Sequence, residues 1–393
     1  MEKNDMEKNV ISSRVWNIPS SSIHEMTHLA AQVPDPAFLS WARPTSGTPE
    51  HINKAACDAI QKGLTSGYSP SSGLPELREA ITEKLKRDNN IDSDISEVVV
   101  TVGAIEGLSS AVMTLIDPGD EVLLPSPNYS THAQQVVLAS GKPVYVPTIE
   151  DEGFRLDAEG FRKAITSRTK AIMYCTPSNP TGAVFEEKDL KALADIALEH
   201  DLGIITDESY EYFTFDGARH FSIGSIPELR ERTISCYTLT KTYAMTGWRI
   251  GYLHTTSDMI TQVQKSHIPF GICAPVVSQY AAIEALKGPQ GCISEFREKY
   301  QILRDLVCRR LDELTEVFSY QKPRGSYCMF PRILHKDGGD SKSFCKDLLL
   351  KGGVSTTPGA DFGPTAEGHL RITFCCTEAE INKAFDRMQE YFH

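Results

Sequence analysis

Long apolar runs are absent from the 393-residue sequence, and no stretch approaches the roughly 20 residues that a transmembrane helix needs. The first ten residues are polar and lack the apolar core of a secretory signal peptide. The ten cysteines include no C-x-x-C pair, and their scatter favours free thiols in a reducing compartment over disulfides or a zinc site. These features predict a cytoplasmic protein without a bound metal.

Positive charge is also scarce. The sequence has 40 Lys and Arg against 52 Asp and Glu, a net charge of −12, and no concentrated basic patch. Such a chain is poorly suited to binding a nucleic acid. Its hydrophobic and charged contents are ordinary for a globular protein, but its length exceeds what one hydrophobic core usually supports. We therefore expect at least two lobes, and neither a nucleic acid nor a membrane as partner.

Apolar segments typical of buried strands alternate with helical segments through the middle of the chain. This alternation predicts an α/β fold with a mostly parallel central sheet covered by helices on both faces. The carboxyl ends of the strands then lie at one edge, where ligands usually bind. The predicted strands are 97–102, 121–124, 142–146, 170–174, 202–205 and 233–238, and helices are predicted at 105–115 and 187–200.

The two ends of the chain lack this alternation. Residues 1–48 are rich in Pro and Ser, and from residue 290 onward long amphipathic helices (293–314 and 378–391) flank short strands. We predict that 1–48 and 290–393 together form a smaller α+β domain, and that 49–289 form a large domain.

Lys241 lies just beyond the end of the predicted strand 233–238, at the ligand edge of the sheet. A lysine there can act as a nucleophile if burial or nearby positive charge lowers its pKa. Thr238 and Arg249 flank it and offer a hydroxyl and a guanidinium suited to a phosphate. Considered alone, an exposed loop lysine is the commoner situation.

Three further segments carry polar groups to the ends of strands. Asp207 closes an apolar strand three residues before Tyr210, and a buried Asp can keep a pyridine nitrogen protonated, although strand-end Asp often caps a helix. Asn179 lies in a Ser-Asn-Pro-Thr-Gly turn, where a cis X-Pro bond would direct its amide at a ligand. Residues 100–107 are typical of a strand, a turn at Gly103 and a helix N-terminus, which binds anions.

In this order, these segments resemble the class I/II aminotransferases of the aspartate aminotransferase superfamily, the pyridoxal-phosphate-dependent enzymes of fold type I. The motifs that carry the resemblance lie at 178–182, 206–210 and 240–251, and it extends to 67–81 and 369–373. It implies a large domain with a mostly parallel sheet and a smaller α+β domain. It also implies an enzyme that uses pyridoxal 5′-phosphate to move an amino group between an amino acid and a 2-oxo acid.

The resemblance also implies roles for individual residues. Lys241 matches the lysine that holds the cofactor as a Schiff base and shuttles the α-proton, and Asp207 matches the partner of the pyridine nitrogen. Tyr210 and Asn179 match the donors to the phenolic oxygen, and Tyr129 matches the aromatic residue stacked on the ring. The residues that match ligands of the cofactor phosphate are Thr238, Arg249 and the backbone of Gly103, Ala104 and Ile105.

Substrate binding and assembly follow from the same resemblance. Arg371 matches the arginine that binds the substrate α-carboxylate with a bidentate guanidinium, and Asn179 and Ala42 are expected beside it. Tyr68 matches a tyrosine that reaches the phosphate of the other subunit. We therefore expect a homodimer with shared active sites.

The sequence departs from the family pattern near the substrate. Ile105 stands where some aspartate-specific members have a lysine that holds a distal carboxylate, and isoleucine cannot do so. The segment 42–46 (Ala-Arg-Pro-Thr-Ser) replaces the usual Gly-x-Pro-Asp-Phe, and its Arg43 faces either an acidic substrate group or solvent. We expect Trp41 and Phe270 to make the pocket partly aromatic. Contacts with the partner subunit are expected around 267–275.

Other functions stay open on the sequence alone. The altered pocket residues are compatible with a lyase or cyclase that uses the same fold and cofactor for elimination, replacement or ring closure. A regulator that keeps the fold without turnover is disfavoured because only a short segment precedes the matched region. An NAD-linked dehydrogenase is disfavoured because no G-x-G-x-x-G follows a first strand.

Overall fold

The structure, a computed structural model, describes residues 10–18, 22–42, 44–336 and 338–393. Its helices are α1 Ser13–Trp16, α2 Ser22–Ala30, α3 Glu50–Gln61, α4 Pro75–Asn89, α5 Gly103–Leu115, α6 Ser130–Leu138, α7 Ala158–Ala164, α8 Glu187–Glu199, α9 Leu239–Thr242, α10 Ser257–Gly271, α11 Val276–Lys287, α12 Gly291–Asp312, α13 Ser341–Gly352 and α14 Glu378–Phe392. Its strands are β1 Ala37–Phe38, β2 Val98–Thr101, β3 Glu121–Ser126, β4 Lys142–Pro147, β5 Thr169–Cys175, β6 Gly203–Asp207, β7 Thr233–Thr238, β8 Gly251–His254, β9 Phe318–Ser319, β10 Cys328–Met329, β11 Arg332–Ile333, β12 Val354–Ser355, β13 Thr357–Pro358 and β14 Leu370–Thr373.

The central sheet has seven strands in the order β2-β8-β7-β6-β5-β3-β4. The pairs among β3, β4, β5, β6 and β7 are parallel, whereas β8 is antiparallel to both β2 and β7. The predicted mostly parallel sheet is confirmed, and each of the six predicted strands matches an observed one to within a few residues. The sequence analysis missed β8, which follows the Lys241 motif directly and spans only four residues.

Both faces of the sheet are covered by helices. Along β2, Val98 and Val100 pack with α3, α4 and α11, whereas Val99 packs on the opposite face with α5, α6 and α10. This separation is the two-residue period of a strand, and it explains why the sheet strands are apolar on both faces. Because helices cover both faces, a ligand can reach the ends of these strands but not their interiors.

The two ends of the chain pack together. Strand β1 pairs with β12, and Met26, Ala30, Ala37 and Leu39 share one apolar core with residues of α12, α13 and α14. The packing accords with a small domain built from both ends, and its boundaries at 48 and 290 stay a prediction. Among the described residues, no helix combines the length and apolar character needed to cross a bilayer.

The parallel strands bring three chemically distinct side chains to one edge. The register pairs Cys175 at the end of β5 with Asp207 at the end of β6, and Asp207 with Cys236 of β7. Asn179 follows β5 and Lys241 follows β7 after three and two further residues, respectively. The carboxyl edge of the sheet therefore holds the amide, the carboxylate and the amine side by side.

Candidate active site

A cavity of about 410 Å³ lies at this edge, between the large sheet and the segment 40–42. Predicted site residues that line it are Ala42, Ala104, Ile105, Tyr129, Asn179, Asp207, Tyr210, Thr238, Lys241, Arg249 and Arg371. Gly103 lies against the guanidinium of Arg249, and Tyr68, which is 82% exposed, is not among the residues that line the cavity. One chain therefore brings together all the predicted site residues except Tyr68.

The amine of Lys241 lies inside the cavity, on the single-turn helix α9. Thr238 begins this helix by accepting a hydrogen bond from the amide of Thr240. The Nζ atom donates to the backbone oxygen of Ala42 at 3.1 Å, and it lies 6.0 Å from the ring of Tyr210. Burial lowers the pKa of Lys241, which favours the uncharged, nucleophilic amine.

Asp207 is buried and yet held as a carboxylate. Its Oδ2 lies 3.3 Å from Nε2 of His132, and its Oδ1 accepts from the backbone amide of Ser209 at 3.1 Å and from the Ser209 hydroxyl. Burial raises the pKa of Asp207, but the hydrogen bonds from His132 and Ser209 outweigh it and the net shift is downward. A buried anion at this position suits a cationic ring nitrogen.

The N-terminus of α5 forms an anion cradle with Arg249. No side chain in the described part of the protein caps this helix end, so its first amide groups remain available to a ligand. Gly103 has a φ of +73°, and a Cβ there would lie 2.4 Å from Nη2 of Arg249. Arg249 itself has a φ of +52°, an unusual conformation for a non-glycine residue and one that clusters at functional sites.

Arg371 lies on β14, with its guanidinium buried at the cavity wall. Nη1 donates to Oδ1 of Asn179 at 3.2 Å, and Nη2 donates to the backbone oxygen of Ser40 at 2.7 Å. The guanidinium lies over the ring of Phe362 at 5.2 Å, and its Nε has no hydrogen-bond partner among the described residues. A buried guanidinium with unused donor capacity is suited to a carboxylate.

The remaining cofactor ligands that the resemblance implies surround the same space. The Asn179–Pro180 peptide bond is cis, as the sequence allowed. Tyr129 begins α6, with its ring edge-to-face on His132 at 5.5 Å. Burial raises the pKa of Tyr210 well above its usual value, so its hydroxyl stays a donor at neutral pH. The hydroxyl of Thr238 bonds with the backbone oxygen of Ile250 and with the hydroxyl of Thr240.

Only some of the residues expected to set substrate preference line the cavity. Trp41 and Ile105 line the cavity. Phe270 does not, and it instead lines a neighbouring groove with Ile105 and Arg249. It is 55% exposed at the end of α10, within the segment expected to meet a partner subunit. Arg43 lies outside the described residues.

Sequence reasoning missed His132, Ser209 and Tyr327. His132 follows Asn128 by four residues, and its Nδ1 lies 3.0 Å from Oδ1 of Asn128. This helical spacing was the available signal, but nothing in the sequence ties it to Asp207, which lies 75 residues later. Tyr327 packs edge-to-face on Tyr210 and donates to the backbone oxygen of Ala42, a contact that only the folded chain reveals.

A second buried cluster lies behind the Asp207 strand end. Glu208, Glu211 and His220 place ligand atoms within 4.8 Å of one another, a spacing compatible with a metal ion. The ammonium of Lys84, however, lies 2.6 Å from both carboxylate oxygens of Glu211. A lysine thus supplies the positive charge here, and the absence of a metal stays a prediction.

The cavity fits pyridoxal 5′-phosphate on the chemistry of its donors. The uncapped α5 amides with Arg249 suit the phosphate, and the Asp207 carboxylate suits a protonated pyridine nitrogen. The amine of Lys241, whose pKa is lowered by burial, suits the aldehyde, and Nε of Arg371, which has no partner within the described part of the chain, suits a substrate carboxylate.

Comparison with known proteins gives the same result. The sequence matches the family model described as aminotransferase class I and II over residues 39–388. It is 40% identical over 384 residues to an aspartate aminotransferase of Pyrococcus abyssi and 39% identical over 384 residues to aromatic-amino-acid aminotransferase 2 of Thermococcus litoralis, with 97% of each chain covered in both cases. A solved aspartate aminotransferase mutant of Thermus thermophilus superimposes with a TM-score of 0.91 at 34% identity, covering 97% of this chain and 99% of that one. The chain therefore belongs to the class I and II aminotransferases and is a pyridoxal 5′-phosphate-dependent enzyme of that family.

Proposed function

We propose that this enzyme exchanges amino groups between an α-amino acid and a 2-oxo acid in the cavity that holds Lys241. The observation that carries the assignment is the lining of one cavity by Lys241, Asp207, Arg249 and Arg371. These side chains supply an amine, a carboxylate, a phosphate ligand and a carboxylate ligand to the same space.

The cofactor is held by residues of the large domain. Arg249 and the α5 amides bind the phosphate, with Thr238 beside them, and Asp207 holds the pyridine nitrogen protonated. Asn179 and Tyr210 donate to the phenolic oxygen, and Tyr129 packs on the ring. When bound, pyridoxal 5′-phosphate withdraws electrons from the substrate α-carbon and so weakens its bond to hydrogen.

Lys241 is the residue that binds the cofactor covalently and then moves the proton. Because burial lowers the pKa of its amine, Nζ is better suited than an exposed lysine to take the proton from the substrate α-carbon. The Ala42 backbone oxygen, 3.1 Å away, orients the amine through a hydrogen bond. Arg371 holds the substrate carboxylate and so fixes which substrate bond faces Lys241.

We propose that the preferred substrates have a large apolar side chain. Trp41 and Ile105 present apolar surface to the cavity, and Ile105 offers no charge to a distal carboxylate. The relatives named above include both an aspartate and an aromatic aminotransferase, so family membership does not decide the substrate. A panel of single amino acids, each tested at the same concentration as amino-group donor, tests this proposal. If aspartate is the most effective donor, the proposal is contradicted.

The reaction type is tested by single-turnover product analysis. Holoenzyme is mixed with one amino acid and no 2-oxo acid, then denatured, and the released cofactor and the product are quantified. The proposal predicts equal amounts of pyridoxamine 5′-phosphate and the matching 2-oxo acid. Unchanged pyridoxal 5′-phosphate alongside ammonia, a leaving group or a cyclic product would indicate the lyase or cyclase alternative.

We further propose a homodimer in which Tyr68 of one subunit reaches the phosphate site of the other. The 82% exposure of Tyr68 and the exposed apolar side chains of Ile268, Phe270 and Ile272 support a subunit interface there. The test mixes Lys241→Ala chains with Tyr68→Ala chains. If the sites are shared, the mixture should be more active than either variant alone, because each mixed dimer has one site with both Lys241 and Tyr68 intact. A mixture no more active than the variants, or a monomer by light scattering, would contradict the proposal.

We also propose that the enzyme acts in the cytoplasm. All ten cysteines are free thiols in the structure, which supports a reducing compartment. Fractionation of the source cells tests the assignment, and activity recovered with secreted or membrane fractions would contradict it.

A further inference from the structure

His267 lies on α10 with a fully buried side chain, and both of its ring nitrogens have partners. Nδ1 lies 3.0 Å from Oε1 of Glu106, and Nε2 lies 3.0 Å from the backbone oxygen of Ser71. Glu106 belongs to the first turn of α5, and Ser71 belongs to the segment that follows Tyr68. The imidazole therefore links the proposed phosphate cradle to the segment of the same protein that follows Tyr68.

The hydrogen-bond partners of this histidine favour one protonation state. A backbone oxygen only accepts hydrogen bonds, so Nε2 must carry a proton. The Glu106 carboxylate already accepts from the Val102 amide at 3.0 Å and from the Ser110 hydroxyl at 2.7 Å. With Glu106 accepting from both of these donors, Nδ1 is placed to donate to it as well, and this arrangement favours the imidazolium form of His267.

The surrounding charges agree with that count. Burial lowers the pKa of His267, but the hydrogen bond and charge of Glu106, together with the Ser71 carbonyl, outweigh burial and the net shift is upward. From α5 the ionisable group that faces the ring is Glu106, and the 69–73 segment presents a carbonyl. Among the described residues, no other charged group contributes to the shift.

Glu106 has two opposing effects on the phosphate cradle. Its Oε2 accepts the amide of Val102, the residue before Gly103, and so holds the turn in the shape that exposes the α5 amides. The same carboxylate, however, places a negative charge in the first turn of the helix whose N-terminus would hold the phosphate. A neighbouring imidazolium cancels that charge while leaving the hydrogen bond to Val102 in place.

The other side of His267 supports the Tyr68 segment. Gln279 of α11 accepts from the amide of Leu74 at 2.7 Å and donates to the hydroxyl of Ser69 at 2.9 Å. His267 adds the bond to Ser71 between these two points. The segment is thus fixed along its length, with Tyr68 at its exposed end.

We propose that His267 is a positioning residue whose imidazolium neutralises Glu106 beneath the phosphate-binding turn and anchors the segment that presents Tyr68 to the partner subunit. The inference rests on the proposed function, in which the α5 N-terminus and Arg249 bind the cofactor phosphate. It predicts that affinity for the phosphate group, rather than for the pyridine ring, depends on this histidine.

The test measures dissociation constants of the cofactor-free enzyme for pyridoxal 5′-phosphate and for pyridoxal by quenching of tryptophan fluorescence. His267→Gln keeps a donor for Ser71 but loses the charge, so affinity for pyridoxal 5′-phosphate should fall about tenfold or more, while affinity for pyridoxal stays within about twofold. His254→Gln is the matched control, because His254 is a buried histidine on β8 whose pKa burial lowers to about 4.

Removing the carboxylate as well should reverse the loss. The double variant Glu106→Gln, His267→Gln leaves no uncompensated charge, so its affinity for pyridoxal 5′-phosphate should return most of the way to that of the unaltered enzyme. A merely structural role predicts additive losses in the double variant. Equal losses for pyridoxal and pyridoxal 5′-phosphate, or no rescue, would overturn the proposal.

A pH series on the unaltered protein gives an independent readout, including if His267→Gln does not fold. Its preference for pyridoxal 5′-phosphate over pyridoxal should fall as pH rises through the pKa of His267, and the double variant should not show that step. A step of the same size in both would contradict the inference. Arg249→Gln distinguishes failure of the proposed phosphate site from failure of the inference about His267. If Arg249→Gln leaves affinity for pyridoxal 5′-phosphate unchanged, the phosphate site of the proposed function is wrong. If Arg249→Gln lowers that affinity and His267→Gln does not, only the inference about His267 is overturned.

Discussion

The Nε2 atom of His132 lies 3.3 Å from Oδ2 of Asp207, and this contact joins the start of α6 to the end of β6. Ser209 holds the other carboxylate oxygen, so both oxygens of Asp207 are oriented before a ligand arrives. Together these donors keep the pKa of Asp207 below its usual value despite burial, and the carboxylate stays ionised to pair with a protonated ring.

Replacing Asp207 should therefore have a much larger effect than replacing His132. Asp207→Ala is expected to lower kcat/KM by about 10²- to 10⁴-fold, because the ring nitrogen loses its counterion. Asp207→Glu should keep far more activity, since a carboxylate remains. His132→Gln should cost about tenfold, the effect of weakening one hydrogen bond to a charged group. Steady-state kinetics with one amino acid measure all three, and a His132→Gln loss equal to that of Asp207→Ala would contradict this ranking.

Arg371→Lys should raise the KM for the amino acid by about 10- to 100-fold with a smaller change in kcat. Lysine keeps the charge but loses the fork of donors that binds a carboxylate and holds Asn179. Arg324→Lys is the matched control, because Arg324 pairs with Glu186 at the surface and lies outside the cavity. An unchanged KM for Arg371→Lys would exclude the proposed carboxylate contact.

Trp41→Ala should narrow the substrate range. Loss of its apolar surface is expected to lower kcat/KM for amino acids with bulky side chains by about 10-fold or more, with alanine less affected. Trp16→Ala serves as control, because Trp16 is 67% exposed and outside the cavity. Competition assays between a bulky amino acid and alanine measure the ratio of their kcat/KM values directly. An equal loss of kcat/KM for all substrates would contradict a role of Trp41 in specificity.

Glu150 should stabilise the fold at neutral pH and lose that effect in acid. Burial raises its pKa, but hydrogen bonds from His369 and Arg332 outweigh this and lower the pKa of Glu150 from 4.5 to about 2. Because the folded pKa is depressed, the stabilisation is complete above about pH 4.5 and disappears as pH falls towards 2. Glu150→Gln should lower the free energy of unfolding by about 1–2 kcal/mol at pH 7, after allowance for the partial exposure of the side chain.

Urea unfolding at several pH values measures this difference. The difference in unfolding free energy between the unaltered protein and Glu150→Gln should decrease steadily below about pH 4.5, because protonation of Glu150 removes its stabilising effect. Glu152→Gln is the control, because Glu152 pairs with Arg155 at the surface. A difference that is the same at pH 7 and pH 3 would exclude ionised Glu150 as its source.

The sheet and the meeting of Asn179, Asp207 and Lys241 at one edge could be predicted because they depend on short-range patterns, whereas the roles of the other candidate site residues were implied by the resemblance to the aminotransferases. Apolar strand segments fix the sheet, and a parallel sheet necessarily gathers the residues after its strands at one edge. Asn179, Asp207 and Lys241 each follow a predicted strand, so their proximity needs no further information. The four-residue β8 escaped prediction because its sequence, Gly-Tyr-Leu-His, lacks the run of β-branched residues that marks the equally short β2.

Contacts between distant elements could not be predicted in the same way. The pairing of His132 with Asp207 depends on how α6 packs against the sheet, which one sequence does not encode locally. The same holds for Tyr327, which reaches Ala42 from the C-terminal part of the chain. Phe270 was expected in the pocket but lies in a neighbouring groove, because α10 carries it past the edge of the cavity.

The most direct test of the account is to find which lysine binds the cofactor. Holoenzyme is reduced with borohydride, digested, and the modified peptide is sequenced by mass spectrometry, with a second sample treated first with an excess of an amino acid substrate. We expect a pyridoxyl phosphate group on Lys241 alone, and we expect it to be lost from the sample treated first with the amino acid. Modification of a different lysine, or none in an enzyme that still transfers amino groups, would contradict the central role given to Lys241.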